Sequence, residues 1–213
     1  MAHPRTLLIG DVHGCLDELR ALLRVAALSA EDRVVLLGDL VAKGPDSLGV
    51  VQFVREQGFQ AVLGNHEAHV LRAWDGEHAE IQQGLGEDGL GWLNTLPLSL
   101  RIPEHNVIAV HAGLVPGIAL EAQSRENVLT MRSLRSDGTA SKRVHEGEPW
   151  SQRWEGPEHV VFGHDAIRGL QRRPFATGLD TGCAYGRQLT ALLLPEWELI
   201  SVPAKRAYIS VGD

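Results

Sequence analysis

Short runs of Leu, Ile and Val recur along this 213-residue chain, and each of the first three is followed by a stretch with helical spacing. Residues 5–10, 33–37 and 59–63 are apolar runs of strand length. After the first, Leu16, Leu19, Leu22, Leu23 and Ala26 fall on one helical face, with Asp17, Glu18, Arg20 and Arg24 outside. After the second, Pro45 suits the first turn of a helix over 46–56, carrying Leu48, Val51, Phe53 and Val54. After the third, a helix is expected from near Glu67 to about Asp75-Gly76. Strand, loop and helix repeated three times predict crossover units and a largely parallel sheet in an α/β domain.

The pattern loosens beyond residue 75. Residues 76–91 are rich in glycine and charge and read as loop or short helix. Val107–Val110 and Val160–Phe162 are further buried strands. Residues 117–158 have no clean period and read as an insert that overhangs the strand ends. Apolar runs at 189–194 and 199–202, with Pro195-Glu196 between them, read as a β-hairpin or meander. With no internal repeat and no composition break, residues 1–213 are expected to form one domain.

Candidate chemistry sits where the apolar runs stop. The stretches are Gly10-Asp-Val-His-Gly14, Gly38-Asp39, Gly64-Asn-His-Glu67, His111-Ala-Gly113 and Gly163-His-Asp165. All but the last follow an apolar run directly. In an α/β sheet, ligands bind beyond the carboxyl ends of the strands, so these loops converge. Asp11 and His13, two apart on an extended strand end, reach one metal. Asp39 has two carboxylate oxygens and can bridge two ions, Asn65 offers a carbonyl oxygen, and His111 and His164 offer imidazole nitrogens. Oxygen and nitrogen donors without thiolate suit Mn, Fe, Co, Mg or a catalytic Zn. Two such ions about 3.5–4 Å apart clamp a phosphate and generate hydroxide for in-line attack. His66 is turned toward the substrate side, where it can protonate a leaving oxygen. Lys43 and Arg132 are the candidates for holding nonbridging phosphate oxygens. Gly10, Gly14, Gly38, Gly64 and Gly113 serve tight turns and close backbone approach.

Charge and cysteine content narrow the class. A net charge of −7 disfavours a nucleic acid held through its phosphates as a stable partner. Two cysteines far apart, Cys15 and Cys183, form neither a disulfide framework nor a thiolate zinc site. The first residues carry no signal-peptide or membrane-spanning pattern. A cytoplasmic protein without membrane attachment is expected.

The five stretches in this order resemble the calcineurin-like metallophosphoesterases of the phosphoprotein-phosphatase type. Gly38-Asp-Leu-Val-Ala-Lys-Gly-Pro-Asp46 and Leu179-Asp-Thr-Gly-Cys-Ala-Tyr-Gly-Arg-Gln-Leu-Thr190 resemble the ApaH-like branch, and the likeness runs from residue 6 to about 194. The resemblance implies a four-layer αββα sandwich, two central sheets flanked by helices (α/β, or α+β by some schemes). It implies two divalent ions, manganese first, with Fe, Zn, Co, Ni or Mg as the other candidates. One ion takes Asp11, His13 and Asp39. The other takes Asp39, Asn65, His111 and His164. It also implies that His66 is the general acid. The implied reaction is attack by metal-bridging hydroxide on a phosphoanhydride such as diadenosine tetraphosphate, cut symmetrically to two ADP. The alternatives are a Ser/Thr protein phosphatase acting on phosphoproteins, and a polyphosphatase. Lys43 stands where protein phosphatases usually carry Arg, and Ala42 where they usually carry the Asp that orients the acid histidine. Both departures weaken the protein-phosphatase reading. The chain is also shorter than the bacterial symmetrical hydrolases.

Tyr185 and Arg187 follow a Thr-Gly turn and are candidates for substrate contact, or for a strand edge and surface. Asp180 is either a turn residue or a partner of the metal ligands. Trp150 and Trp154, four apart, read as a packed helical pair before a base-stacking platform. His69, His78, His105, His145 and His159 lie outside the motifs and are read as surface residues.

Overall fold

In the computed structural model, residues 4–72 and 76–210 are described. The first half runs β1 (Thr6–Ile9), α1 (Leu16–Ala26), β2 (Arg33–Leu36), α2 (Ser47–Glu56), β3 (Gln60–Ala61), α3 (Asn65–Val70) and α4 (Gly76–Thr95). It continues with β4 (Ser99–Ile102), β5 (Val107–Val110), α5 (Arg125–Thr130), and the two-residue strands β6 (Ser133–Leu134), β7 (Ala140–Ser141) and β8 (Glu148–Pro149). Last come β9 (His159–Phe162), β10 (Gln171–Arg173), β11 (Ala176–Gly178), β12 (Gln188–Leu194) and β13 (Glu198–Pro203).

Among the described residues these strands form two five-stranded sheets, ordered β13-β12-β1-β2-β3 and β10-β11-β9-β5-β4, and a small sheet β7-β6-β8. Both large sheets are mixed. β1, β2 and β3 are parallel neighbours, and the β12–β13 hairpin is added antiparallel. In the second sheet β5, β9 and β11 are parallel, with β4 and β10 antiparallel at the edges.

The period-2 alternation of the strands builds the layers. Leu7 and Ile9 face a cluster with Leu19 and Leu22 of α1, Val50 and Val54 of α2 and Leu93 of α4. Leu8, Val35 and Leu192 face the other way and meet Val107, Ala109 and Val161 of the second sheet. The far side of that sheet, Ile108, Val110, Val160 and Phe162, is covered by Val128 of α5, Met131, Leu134 and Trp150. Two sheets thus lie back to back between helical layers, as expected, and the fourth layer is thin: one short helix and the small sheet.

Several local expectations are corrected. Asp46, whose side chain accepts the Gly49 N–H at 2.8 Å, caps α2, so Pro45 lies before the helix rather than in its first turn. The third helix starts at Asn65 and ends at Val70, and Asp75 lies outside the described residues. Residues 76–91 belong to helix α4, which is interrupted at Gly86 (φ 61°, ψ −174°) and buries Ile81 and Leu93. β4 had no signal in the sequence. The stretch 117–158 packs as the outer layer, contributing α5 and the small sheet. Trp150 and Trp154 do contact, at 6.4 Å between ring centroids, but from a 3-10 turn (Trp150–Gln152) in which Trp150 is fully buried. No helix among the described residues is long and apolar enough to cross a membrane.

Candidate metal centre

The parallel strands of both sheets deliver their loops to one edge. β1 leads into Asp11 and His13, β2 into Asp39, and β3 into Asn65 at the head of α3; β5 and β9 bring His111 and His164 from the other sheet. Backbone hydrogen bonds stitch the loops together. His13 N–H donates to Asp39 O at 2.7 Å, Gly14 N–H to Leu40 O at 2.8 Å, and Gly163 N–H to His111 O at 2.8 Å. His13, Asp39 and His164 adopt left-handed backbone (φ 47°, 48° and 67°). Each such residue costs about 1–3 kcal/mol, strain of the kind that collects at functional sites.

Asp39 stands at the centre. Its Oδ2 is 3.5 Å from His13 Nε2, and its Oδ1 is 3.4 Å from His111 Nε2. The two carboxylate oxygens therefore serve two different neighbourhoods. One groups Asp39 with His13 and His66; the other groups it with His111 and His164. Asp11 Oδ2 lies 3.9 Å from His13 Nε2.

The histidine tautomers are set from behind. His13 Nδ1–H donates to Val41 O at 3.1 Å and His111 Nδ1–H to Leu37 O at 2.8 Å, which leaves each Nε2 with a lone pair. His164 uses Nε2–H on Thr130 O at 3.1 Å, which leaves Nδ1 open, and its N–H donates to the Asp11 carboxylate at 3.0 and 3.1 Å. His111 Nε2 then faces Asn65 Oδ1 at 2.9 Å, one lone pair against another. A cation between them removes that repulsion. At His13 Nε2 a positive charge is already present, Lys43 Nζ at 3.1 Å.

Electrostatics point the same way. Burial lowers His13 to about 4 and His164 well below its ordinary value, so both are neutral at pH 7. Burial works against ionised Asp39, yet its carboxyl lies below the ordinary carboxylate range, because any proton on the surrounding imidazoles of His111, His66, His13 and His164 favours a negative Asp39. Asp11 is raised by burial first, and then by Asp180 and Asp39. Asp180 lines the cavity and is itself raised by burial. Crowded buried carboxylates beside neutral imidazoles form a donor set short of positive charge, and divalent ions fit it.

Asp11, His13, Asp39, Asn65 and His164 line a cavity of about 380 Å³, with His111 fully buried behind them. Lys43, His66, Arg132, Tyr185 and Arg187 line the same cavity, so all the sequence candidates meet at one place. Lys43 Nζ also lies 5.4 Å from the Tyr185 ring centroid. Arg132 is aimed by two carbonyls, Lys142 O at 3.0 Å and His164 O at 3.1 Å. Arg187 Nη1 donates to Ala166 O at 2.9 Å.

Further residues that the sequence pattern alone does not mark support the centre. Glu67, fully buried, accepts the N–H groups of Asp39, Leu40, Val41 and Gly64 at 2.8–3.1 Å and so clamps the Gly38 loop to α3. Its place in Gly64-Asn-His-Glu67 was the available signal. Arg168 pairs with Asp165 at 2.6 Å and bonds Arg132 O at 3.0 Å, which ties the Arg132 segment to the His164 loop. Ile167 lines the cavity and is 66% exposed. His78 is no isolated surface residue: its Nε2 lies 3.0 Å from His66 Nδ1. His159 likewise bonds Thr177 Oγ1 at 2.9 Å.

Known proteins resemble this chain over most of its length. The symmetrical bis(5'-nucleosyl)-tetraphosphatase of Legionella pneumophila (strain Corby) is 32% identical over 92% of this chain and 95% of its own length. That of Psychromonas ingrahamii is 29% identical, with coverage of 94% and 97%. The Psychromonas alignment spans 268 positions, more than the 213 residues of this chain, so that relative carries segments absent here. A crystal structure assigned as a candidate diadenosine tetraphosphatase superposes with a TM-score of 0.89 at 42% identity, covering 95% of both chains. A serine/threonine phosphatase from Saccharomyces cerevisiae shares the fold at a TM-score of 0.68 and 16% identity, over 95% of this chain and 80% of its own. The calcineurin-like phosphoesterase family model matches residues 4–192, from β1 into β12, and spans every loop that supplies the centre. The chain therefore belongs to the calcineurin-like phosphoesterase family of hydrolases.

Proposed function

We propose that this protein hydrolyses the phosphoanhydride chain of a dinucleoside polyphosphate, with diadenosine tetraphosphate cut symmetrically to two ADP. The observation that carries the reading is Asp39, with its two carboxylate oxygens turned to different histidines beneath a cavity rimmed by Lys43, Arg132 and Arg187. The relatives named as symmetrical tetraphosphatases support the substrate. The low identity to the yeast protein phosphatase supports no more than a common fold.

In this reading Asp11, His13 and Asp39 hold one divalent ion, and Asp39, Asn65, His111 and His164 hold the other. Manganese is the favoured ion, since oxygen and imidazole donors without thiolate suit it. When bound, the pair supplies charge for the phosphate oxygens and an activated water for in-line attack. The chain's own residues do the rest. Lys43 and Arg132 neutralise the nonbridging oxygens as charge develops on them. Arg187 and Tyr185 hold the substrate at the mouth. His66, whose backbone N–H is fixed on Asp39 Oδ1 at 3.0 Å, donates a proton to the leaving phosphate oxygen. Burial lowers His66 to about 3 in the free protein, and a bound polyanion beside it restores its affinity for a proton. A cavity of about 380 Å³ seats the phosphates and leaves the nucleosides on the rim. Cys15 and Cys183, both free thiols, support a reducing cytoplasmic location.

The test is product analysis with the manganese-loaded protein on diadenosine tetraphosphate, linear polyphosphate and a phosphopeptide. ADP as sole product from the dinucleotide, at higher kcat/KM than the other two substrates, is the expected outcome. ATP plus AMP, or faster phosphopeptide turnover, overturns the reading.

A further inference from the structure

His66 and His78 sit on different helices and meet over one edge of the cavity. His66 lies on the first turn of α3, and its Nδ1 is 3.0 Å from Nε2 of His78, on the first turn of α4. The rings are nearly parallel, at 22° and 5.2 Å between centroids. His78 is held in place from two sides. Glu77, next to it, accepts the Lys43 N–H at 2.7 Å, and Gln82 Nε2–H donates to Val70 O at 2.8 Å, tying α4 to the end of α3. The neighbouring loop offers no substitute, because position 42 is a buried alanine with no polar side-chain atom.

Two imidazole nitrogens at hydrogen-bond distance need one proton between them: one donates N–H and the other accepts with a lone pair. A histidine that gives its proton to a leaving group must keep its other nitrogen protonated before and after the transfer. We propose that His78 is the positioning residue of His66: its Nε2 accepts the His66 Nδ1–H, fixes the ring and the tautomer, and leaves His66 Nε2 as the nitrogen that carries the transferred proton. The inference rests on the reading of His66 as proton donor. The balance is simple. His66 Nε2–H breaks, the proton goes to the leaving oxygen, and the Nδ1–H bond to His78 persists throughout.

A proton donor matters most when the leaving group is poor, so the test compares phenyl phosphate with p-nitrophenyl phosphate. The full-length manganese-loaded His78→Ala, His78→Gln and His66→Ala variants are measured against the unaltered protein, with bound metal determined for each. In His78→Ala, kcat on phenyl phosphate is expected to fall at least about tenfold more than kcat on p-nitrophenyl phosphate, within the range general acids supply. KM and metal content stay unchanged. His78→Gln, whose side-chain carbonyl can accept the same N–H, recovers part of the loss. An equal fall on both substrates, or no fall, while His66→Ala still shows the leaving-group dependence, overturns the role of His78 alone. No leaving-group dependence in His66→Ala overturns the proton-donor reading and this inference with it.

Discussion

Glu67 shows how far a single buried side chain controls the centre. Its carboxylate takes four backbone N–H groups, three of them consecutive in the loop that carries Asp39. Glu67, Asp39, Leu40 and Val41 are all buried, so removing the acceptor leaves these donors unpaired at roughly 1–3 kcal/mol each. Burial first, and then the neighbouring Asp39, push the Glu67 carboxyl up to about 8, even though the backbone donors favour the ionised form. Glu67→Gln keeps the shape but replaces one acceptor oxygen with a donor. Each Glu67 oxygen accepts two of the four N–H groups, so urea unfolding of the metal-free variant is expected to show a loss of stability of about 2–6 kcal/mol. An unchanged midpoint would mean that these N–H groups find other partners. The same residue illustrates a limit of sequence reading. The motif Gly64-Asn-His-Glu67 was visible, yet nothing in it says that Glu67 turns inward to the Gly38 loop rather than outward beside His66.

At the scale of elements, the legible parts were those where one signal dominated. β1, β2 and their helices stood out because an apolar run, a glycine and a helical stripe follow in order. α4 was hidden by Gly84, Gly86, Gly89 and Gly91, which broke the apolar spacing. Its burial comes from packing on α2 and α3, which no local pattern records. β4 is only partly buried, and β6, β7 and β8 are two residues long, too short for alternation to register. His78 was unreadable because its partner lies twelve residues away on another helix. The entry to the first sheet carries its own prediction. Arg5, just before β1, pairs with Asp32, just before β2, at 2.5 Å, and the Asp32 side chain is only 4% exposed. The hydrogen bond from Arg5 lowers Asp32 from its ordinary 3.8 to about 2. A carboxyl depressed on folding adds stability above its unfolded pKa and loses it as pH falls through the folded one. Asp32→Asn should therefore lower Tm at pH 7, and its difference from the unaltered protein should shrink as pH falls from 4 toward 2. A difference independent of pH would rule out the ion pair as its source.

The whole molecule is a device for bringing two sheets to a common edge. Neither sheet holds the centre alone: Asp11, His13, Asp39 and Asn65 come from one, and His111 and His164 from the other. Behind the centre the sheets meet through apolar side chains, and at the centre itself the crossing contacts are polar, such as His111 Nδ1–H on Leu37 O and His164 N–H on Asp11. The candidate donor residues were legible because each lies within two residues of a glycine at a strand end. Their orientation was not, because it depends on carbonyls of Val41, Leu37 and Thr130 that only the folded chain brings near. The proposed reaction requires that Asp39 be shared by two ions. Calorimetric titration of the metal-free protein with Mn²⁺, repeated on Asp39→Asn, tests it directly. Two equivalents in the unaltered protein, both weakened together by the single substitution, are predicted; a variant that loses one equivalent and binds the other with unchanged affinity would show that Asp39 serves one ion only.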